Sequence, residues 1–272
     1  MDEQTVIIDG NRIAFWQSQG DGRAVVFVHG NSSSASTWRH LMTGGFGQRY
    51  RCLAFDLPGH GHSAPASRPS AYSLPGYAAV LTSFAQATGA AAAVVVGWSL
   101  GGHIAIEAAP GMPTAAGFVL FGTPPVASAS QMADAFHPNP AIGIGLTSSV
   151  TPDQARAYAA CFTAPGSAVP LDDFTRDILR TDGAARAGLA ASIAEGRFGD
   201  QVAVVAALGR PLAILHGRGE QLVNLAYLQQ LTIPSLWRGS VQLIAGAGHA
   251  PHQETPGEFA DLLEQFMAGL PD

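Results

Sequence analysis

Apolar residues in this chain form short continuous runs that alternate with longer amphipathic segments. The runs rich in β-branched and aromatic residues are typical of strands buried on both faces, and they lie at residues 24–28, 51–56, 94–96, 117–121, 212–216 and 240–244. The amphipathic segments at residues 77–88, 225–231 and 256–267 have the spacing of helices. A hairpin is predicted at residues 5–17, around Asp9-Gly10. Alternation of this kind predicts an α/β protein with a mostly parallel central sheet flanked by helices.

The alternation breaks between residue 126 and about residue 208. This segment contains helical pieces at residues 153–161 and 171–180, separated by Pro and Gly, and no convincing buried strand. We therefore predict a core formed by residues 1–125 and 209–272. Residues 126–208 are predicted to be a helical cap (lid), inserted before the predicted strand at residues 212–216.

The stretch Gly97-Trp98-Ser99-Leu100-Gly101 has the pattern G-x-S-x-G and lies between a β-branched run and a small-residue helical segment. In that context the pattern is a nucleophile elbow, in which the serine occupies a strained turn above the strand ends. Small neighbours are needed two residues away on either side, and the first N–H groups of the following helix point at the reacting centre. Ser99 is therefore the candidate nucleophile.

A serine nucleophile needs a histidine base, and the base needs an acid to orient it. His249 follows the last predicted strand on a glycine-rich loop, and Glu220 lies three residues after the glycine that ends the preceding strand. The order serine, acid, histidine is that of α/β-hydrolases. His252 is the alternative base, but we interpret it as a pocket or surface residue.

The tetrahedral intermediate needs two preorganised N–H donors for its negative oxygen. One is predicted to be the amide of Leu100, directly after the nucleophile. The other should come from the loop that follows the first core strand, most plausibly the amide of Asn31. The side chain of Asn31 is also a candidate for holding a substrate oxygen.

Charge and composition exclude several classes of function. The chain has 272 residues and a formal net charge of −6, which argues against nucleic acid and anionic membranes as partners. Its 14 basic residues are all arginine, so neither Schiff-base chemistry nor a lysine nucleophile is possible. The N-terminus lacks the pattern of a signal peptide and no apolar stretch reaches membrane-spanning length, so we predict a soluble cytoplasmic protein.

Other motifs are weaker signals. The pair His60-Gly61-His62 lies in a glycine-rich turn, but it is not part of an H-x-H-x-D-H motif and has no acidic cluster nearby, so no metal site is predicted. No G-x-G-x-x-G follows the first strand, which argues against a dinucleotide, and no cofactor is expected. His103, on the helix after the elbow, is interpreted as a packing residue. Cys52 is expected to be a buried, reduced thiol.

Taken together, these motifs resemble the α/β-hydrolase family, and more narrowly its metal-independent N-acyl-homoserine lactone hydrolases, the quorum-quenching lactonases. The stretches that carry the resemblance are HGNSSS at 29–34, DLPGHGHS at 56–63, GWSLGGHIAIE at 97–107, FGTPPVA at 121–127, RTDG at 180–183, HGRGE at 216–220 and GAGHAP at 246–251. The resemblance implies the same triad of Ser99, Glu220 and His249, and the same oxyanion donors.

The resemblance also implies which residues contact the substrate. A cap tyrosine of the family corresponds to Tyr158, and Trp98 beside the nucleophile is expected to form a wall of the pocket. Trp38 corresponds to a pocket aromatic, although a core position at a helix start is an equally good interpretation. The apolar cap segment 142–146, beginning at Ile142, is the candidate lining for an acyl chain.

The expected function is opening of the lactone ring of N-acyl-homoserine lactones through an acyl-enzyme, with a small molecule as the partner. A carboxylesterase, or a hydrolase of other lactones, would use the same triad, because substrate choice resides in the cap. A non-catalytic ligand receptor on a hydrolase scaffold is the competitor from another class. The oligomeric state stays open, a monomer and a weak dimer both being compatible with the sequence.

Overall fold

The computed structural model describes residues 1–271 and contains one sheet of eight strands in the order β1-β2-β4-β3-β5-β6-β7-β8. The strands are β1 (Glu3–Ile8), β2 (Asn11–Gln17), β3 (Gly22–Val28), β4 (Tyr50–Phe55), β5 (Val94–Trp98), β6 (Gly117–Phe121), β7 (Leu212–Gly217) and β8 (Gln242–Ile244). From β4 to β8 all neighbours are parallel, whereas β1 and β2 form the predicted hairpin and join β4 antiparallel. The predicted α/β fold class is confirmed.

Twelve helices surround or cap this sheet within the described residues. They are α1 (Arg39–Thr43), α2 (Gly45–Arg49), α3 (Leu74–Ala87), α4 (Leu100–Ala108), α5 (Met132–Ala135), α6 (Pro152–Ala159), α7 (Asp172–Arg180), α8 (Gly183–Ala194), α9 (Gln201–Ala207), α10 (Leu225–Gln230), α11 (Pro251–Glu254) and α12 (Pro256–Ala268). Short 3₁₀ turns include Ala35–Trp38, before α1, and Pro140–Leu146, in the cap. Within residues 1–271 no helix combines the length and apolarity needed to cross a bilayer.

The central strands bury both faces, which explains their unbroken apolar sequences. Every residue of β5 and β6 is buried, and two large apolar clusters lie on the two sides of the sheet. One cluster packs α3 and α4 against the sheet, and the other packs α12. Because parallel strands all point the same way, the loops after β3, β5, β7 and β8 meet at one edge of the sheet.

Helices α5–α9 form the segment between β6 and β7, and among the described residues this segment adds no strand to the sheet. Helix α6 begins with a complete capping box between Thr151 and Gln154. The buried guanidinium of Arg186 donates to the carbonyls of Ile178 at 3.0 Å and Thr147 at 2.7 Å, which ties α8 to α7 and to the preceding loop. The cap therefore has its own hydrogen-bonded frame over the carboxyl edge of the sheet.

Candidate active site

Ser99 lies between β5 and α4 in the conformation that a nucleophile elbow requires. Its φ is +54° and its ψ is −117°, outside the regions that non-glycine residues ordinarily adopt. A Cβ at Gly97 would lie 2.5 Å from the carbonyl oxygen of Gly101, and one at Gly101 would lie 2.2 Å from that of Val28. Only glycine fits at these two positions, so the pattern G-x-S-x-G follows directly from the close packing of the turn.

Backbone contacts hold this turn in place. The Ser99 N–H donates to the carbonyl of Phe121 at 2.9 Å, and the Thr123 hydroxyl donates to the Ser99 carbonyl at 2.8 Å. The N–H groups of Gly102 and His103 also donate to the Ser99 carbonyl, at 2.9 and 3.2 Å. These bonds account for the persistence of the strained backbone.

Glu220 and His249 lie side by side at the ends of β7 and β8. The distance from His249 Nδ1 to Glu220 Oε2 is 2.8 Å, and the two side chains are 1% and 2% exposed. Glu220 Oε1 accepts the Leu222 N–H at 2.8 Å, so both carboxylate oxygens have a donor. The carboxylate therefore fixes the tautomer of His249, with the proton on Nδ1 and Nε2 available as a base.

Burial by itself would raise the pKa of the Glu220 carboxyl. The charge of His249 and the hydrogen bonds from His249 and Leu222 together outweigh burial and hold this pKa below its usual range. Glu220 is therefore ionised at neutral pH. His249 Nε2 is buried and makes no hydrogen bond within residues 1–271, which leaves it free for a proton in transfer.

The predicted oxyanion donors follow β3 and β5. Within residues 1–271 neither the amide of Asn31 nor that of Leu100 donates a hydrogen bond. His29 holds the first of these loops, because its Nδ1 donates to the Gly30 carbonyl at 2.8 Å and its Nε2 accepts the Leu57 N–H at 3.0 Å. Burial, with the neighbouring His60, lowers the pKa of His29 to about 3, so the ring stays neutral in this role.

The side chain of Asn31 contacts the cap. Its Nδ2 donates to the Gly145 carbonyl at 2.6 Å, and its Oδ1 accepts from the Ser32 hydroxyl at 3.3 Å. The Tyr158 phenol lies beside Asn31, and burial raises its pKa. Asn31 thus joins the predicted oxyanion loop to the cap through its bond to Gly145.

A cavity of about 240 Å³ opens between these loops and the cap. Its lining residues are Asn31, Leu74, Ser99, Leu100, His103, Val126, Met132, Phe136, Ile142, Leu146, Tyr158, Leu189 and Ile193. Four of the predicted substrate and oxyanion residues line it: Asn31, Leu100, Tyr158 and Ile142. Ile144, from the same cap segment, instead packs against the core. The cavity can hold a mainly apolar acyl group with its carbonyl carbon at Ser99.

Trp98 and Trp38 are not among the residues that line this cavity. Trp98 is 1% exposed, and its indole Nε1 donates to the His249 carbonyl at 2.8 Å, so it supports the catalytic loop from beneath. Trp38 is fully buried, with its ring 4.8 Å from Phe27 and 4.7 Å from His252. The structure therefore places Trp38 in the core at a helix start, and not in the pocket.

The interpretation of His252 as a pocket or surface residue was wrong. His252 is 3% exposed, and its Nε2 is 2.7 Å from the Thr37 hydroxyl. Burial, followed by the charge of His249, lowers its pKa to about 3. The ring packs between Trp98 and Phe121, at centroid distances of 4.8 and 5.3 Å. Its position on α11 rather than on the loop before it explains why it points into the core.

Two residues near the site were not found by sequence reasoning. Glu254, on α11, accepts the N–H of Gly248 at 2.6 Å and that of Ala164, from the cap, at 2.7 Å. It therefore connects the cap to the residue before His249. Gln201, fully buried at the start of α9, lies with its Oε1 2.8 Å from His103 Nδ1. Neither residue belongs to a motif, so nothing in the local sequence marks them.

In the pair His60-Gly61-His62, for which no metal site is predicted, one of the two histidines has a structural role. His60 is buried, and its Nδ1 donates to the Pro58 carbonyl at 3.1 Å, while His62 Nδ1 lies 2.5 Å from exposed Glu3 Oε2. Burial lowers the pKa of His60 to about 4. Within residues 1–271 no three His, Cys, Asp or Glu side chains are grouped as metal ligands.

A larger hollow of about 620 Å³ lies behind the loop at residues 29–34. It is lined by Arg39, Arg176 and Arg180 together with Asp56 and Asp177, among others, and Ser99 is not part of its wall. Volume alone would favour this hollow as the active site. Ser99, Asn31 and Leu100, however, line the smaller cavity of about 240 Å³. The smaller cavity is therefore the candidate active site.

Solved structures with the same architecture include N-acyl homoserine lactonase AidH. A mutant of AidH complexed with N-hexanoyl homoserine lactone is 34% identical to this chain, with a TM-score of 0.93, and the match covers 98% of this chain and 97% of that one. AidH complexed with N-butanoyl homoserine is 35% identical, again with a TM-score of 0.93, over 98% and 96% of the two chains.

Curated relatives include esterases. Pimeloyl-[acyl-carrier protein] methyl ester esterase of Xanthomonas campestris pv. campestris is 30% identical over 264 residues, which covers 93% of this chain and 98% of that protein. The alpha/beta hydrolase family model matches residues 25–262, from the first core strand into the last helix. By this match and by the elbow and its surroundings, the chain belongs to the α/β-hydrolase family.

Proposed function

We propose that this ester-bond hydrolase opens the lactone ring of N-acyl-homoserine lactones, with Ser99 as nucleophile, His249 as base and Glu220 as orienting acid. The observation that carries the proposal is the placement of Ser99. It is strained at a cavity lined mainly by apolar cap residues, and the Glu220–His249 pair is held at 2.8 Å at the same edge of the sheet. The similarity to AidH over nearly the whole chain supports the lactone as substrate.

In the first half-reaction the Ser99 hydroxyl gives its proton to His249 Nε2 while Oγ attacks the lactone carbonyl carbon. The amides of Asn31 and Leu100 donate to the resulting oxyanion, and each such donor contributes roughly 10²–10³ in rate. Collapse of the intermediate breaks the bond to the ring oxygen, which takes the proton back from His249. The product is an acyl-enzyme whose leaving alcohol stays attached to the acyl group.

In the second half-reaction His249 takes a proton from water, and the hydroxide attacks the acyl-enzyme carbonyl. The same two amides receive the oxyanion. Collapse breaks the bond to Ser99 Oγ, which regains its proton from His249 and releases the open N-acyl-homoserine. Glu220 stays ionised throughout and stabilises the transient imidazolium.

A carboxylesterase activity on the same triad is the second candidate, favoured by the identity to the methyl ester esterase. The two substrates differ in what leaves the carbonyl: a lactone keeps its alcohol tethered, whereas an acyclic ester loses it. The catalytic groups treat both alike, so the cavity decides between them.

The test is a panel of N-acyl-homoserine lactones and p-nitrophenyl esters of matched acyl length, with kcat/KM measured for wild type and Ser99→Ala. We expect lactone opening by the wild type and a loss of about 10⁴–10⁶ in kcat for Ser99→Ala, since the serine forms the covalent intermediate. His40→Gln, an exposed change on α1, is the matched control. Turnover of esters without lactone opening would contradict the lactonase proposal, and full activity of Ser99→Ala would contradict the mechanism.

A further inference from the structure

The cavity wall carries a histidine for which the proposed reaction has no role. His103 lies on α4 four residues after Ser99, and its N–H donates to the Ser99 carbonyl at 3.2 Å. Its side chain lines the cavity together with Ser99 and Tyr158. Its ring Nδ1 is 2.8 Å from Gln201 Oε1. A hydrogen bond to one ring nitrogen of a neutral imidazole fixes the tautomer. It therefore decides whether the other nitrogen is a donor or an acceptor.

Gln201 determines which ring nitrogen of His103 carries the proton. The Val126 N–H also points to Gln201 Oε1, at 3.4 Å. Because a backbone N–H can only donate, the amide oxygen of Gln201 faces both groups, and His103 Nδ1 must donate to it. Nε2 is then unprotonated. Burial lowers the pKa of His103 to about 4, so the ring stays neutral near pH 7 and Nε2 is an acceptor.

His103 Nε2 has no hydrogen-bond partner within residues 1–271. The other polar side chains on the cavity wall already have roles. Asn31 donates to Gly145 and accepts from Ser32, and Ser99 is the nucleophile. Tyr158 carries a phenol that retains its proton, because burial raises its pKa. The cavity therefore has one neutral nitrogen acceptor close to the nucleophile.

We propose that His103 Nε2 accepts a hydrogen bond from the amide N–H next to the scissile carbonyl, so that His103 selects N-acylated substrates. This inference rests on the proposed function and deepens it. In an N-acyl-homoserine lactone the amide nitrogen is two bonds from the carbon that Ser99 attacks. Both residues line the same cavity, and the N–H of His103 bonds to the carbonyl of Ser99, so the ring lies about one helical turn (about 5.4 Å) from the residue that attacks the carbonyl. A substrate without the N–H leaves a desolvated acceptor unpaired and is disfavoured.

The experiment removes the donor from the substrate and the acceptor from the enzyme separately. N-hexanoyl-homoserine lactone and its N-methyl amide are compared by kcat/KM in wild type, His103→Asn and His103→Gln. An asparagine amide reaches the place of Nδ1 and keeps a donor towards Gln201, but it leaves the place of Nε2 empty. A glutamine amide reaches the place of Nε2 and can supply an acceptor oxygen there. p-Nitrophenyl hexanoate, which lacks an amide, serves as the reference substrate.

We expect wild type to prefer the N–H substrate by about 10- to 100-fold, the range for one buried hydrogen bond. His103→Asn should bring this ratio close to one, mainly through KM, while turnover of p-nitrophenyl hexanoate changes less than about threefold. His103→Gln should retain part of the preference. Melting temperatures establish that both variants are folded. A ratio unchanged in His103→Asn overturns the proposal, as does an equal loss on the amide-free ester, which indicates a structural role.

A second pair of substrates, N-hexanoyl-alanine methyl ester and its N-methyl amide, separates this inference from the lactonase proposal. A His103-dependent ratio on this pair, without lactone opening, contradicts the lactonase proposal and supports the acceptor. Lactone opening with the same N–H preference in wild type and His103→Asn supports the lactonase proposal and contradicts the role of His103 as acceptor. Failure of both pairs to react overturns both.

Discussion

The core loops and the cap build opposite sides of the same site in different ways. On the core side, hydrogen bonds hold the polar side chains in place: both oxygens of Glu220 accept from donors, and His249 is held through Nδ1. The cap contributes mostly apolar side chains to the cavity, namely Val126, Met132, Phe136, Ile142, Leu146, Tyr158, Leu189 and Ile193. Directional bonds fix where a reaction occurs, whereas apolar contact fixes only size and shape. In the proposed reaction the core loops supply the chemistry, and the cap sets the fit of the acyl group.

Two of the polar contacts between the core and the cap involve loops of the candidate site. Asn31 donates to Gly145 of the cap, and Glu254 accepts N–H groups from Ala164 of the cap and Gly248 of the core. Both contacts reach catalytic groups on the core side: the predicted oxyanion loop and the residue before His249. These two contacts therefore couple the position of the cap to the loops of the candidate site.

The strongest test of the core side is Glu220→Gln, which keeps the shape of the side chain and removes its charge. Loss of the charge frees the tautomer of His249 and leaves the imidazolium without its counter-ion. We expect kcat to fall by about 10⁴ on lactone and ester alike, by analogy with the triad acid of serine proteases. The matched control is Glu195→Gln, at an exposed cap position. A loss confined to one substrate class would contradict a purely chemical role for Glu220.

The core side also contains the buried histidines, and these predict how stability depends on pH. Burial lowers the pKa of His29 and His252 to about 3 and that of His60 and His103 to about 4, all below the ordinary value of 6.5. As the pH falls below about 6.5, these four histidines are protonated in the unfolded chain but not yet in the folded protein. The free energy of unfolding therefore decreases. Asp56 has the opposite effect. Burial raises its pKa to about 6, so the folded protein binds this proton at a higher pH than the unfolded chain does.

Together these five groups take up about three protons net on unfolding, which contributes a fall of about 4 kcal/mol per pH unit to the free energy of unfolding between roughly pH 6 and 5. His216, whose pKa burial also lowers, adds to this fall, whereas Asp177 and Glu107, whose pKa values burial raises, reduce it. Urea unfolding at several pH values measures this slope. His103→Asn should lessen the slope by about one proton, and His40→Gln, at an exposed position, is the matched control. A stability that rises as the pH falls through this range would contradict the assignment of neutral buried rings.

The cap side is tested by Leu146→Trp, which adds volume to the cavity wall without touching the core loops. Each buried methylene contributes about 0.8 kcal/mol, so exclusion of two methylenes of a long acyl chain should cost about tenfold in kcat/KM. A butanoyl substrate should change by less than about twofold. Leu179→Trp is the matched control, since this cap leucine is 44% exposed. An equal loss on long and short chains would show that the cap influences the chemistry itself.

Local sequence patterns were sufficient for the strands of the core and for the elbow. Continuous apolar runs predicted β3, β5, β6 and β7 because strands buried on both faces leave no polar position. Boundaries were less accurate where burial is one-sided: β8 is only Gln242–Ile244, shorter than the predicted run at 240–244. In the cap, α8 and α9 were not predicted, since their alanine-rich sequences give little periodic contrast between apolar and polar positions.

The sequence by itself determined the fold class and the candidates Ser99, Glu220 and His249, because an elbow and loops after parallel strands are defined by neighbours along the chain. Only the tertiary structure decided which side chains reach the cavity. It placed Trp38 and His252 in the core, and brought Gln201 to His103 and Glu254 to Gly248. The physical reason is that a side chain's surroundings depend on elements distant in sequence. A motif read along the chain cannot specify contacts made 98 residues away, as between His103 and Gln201.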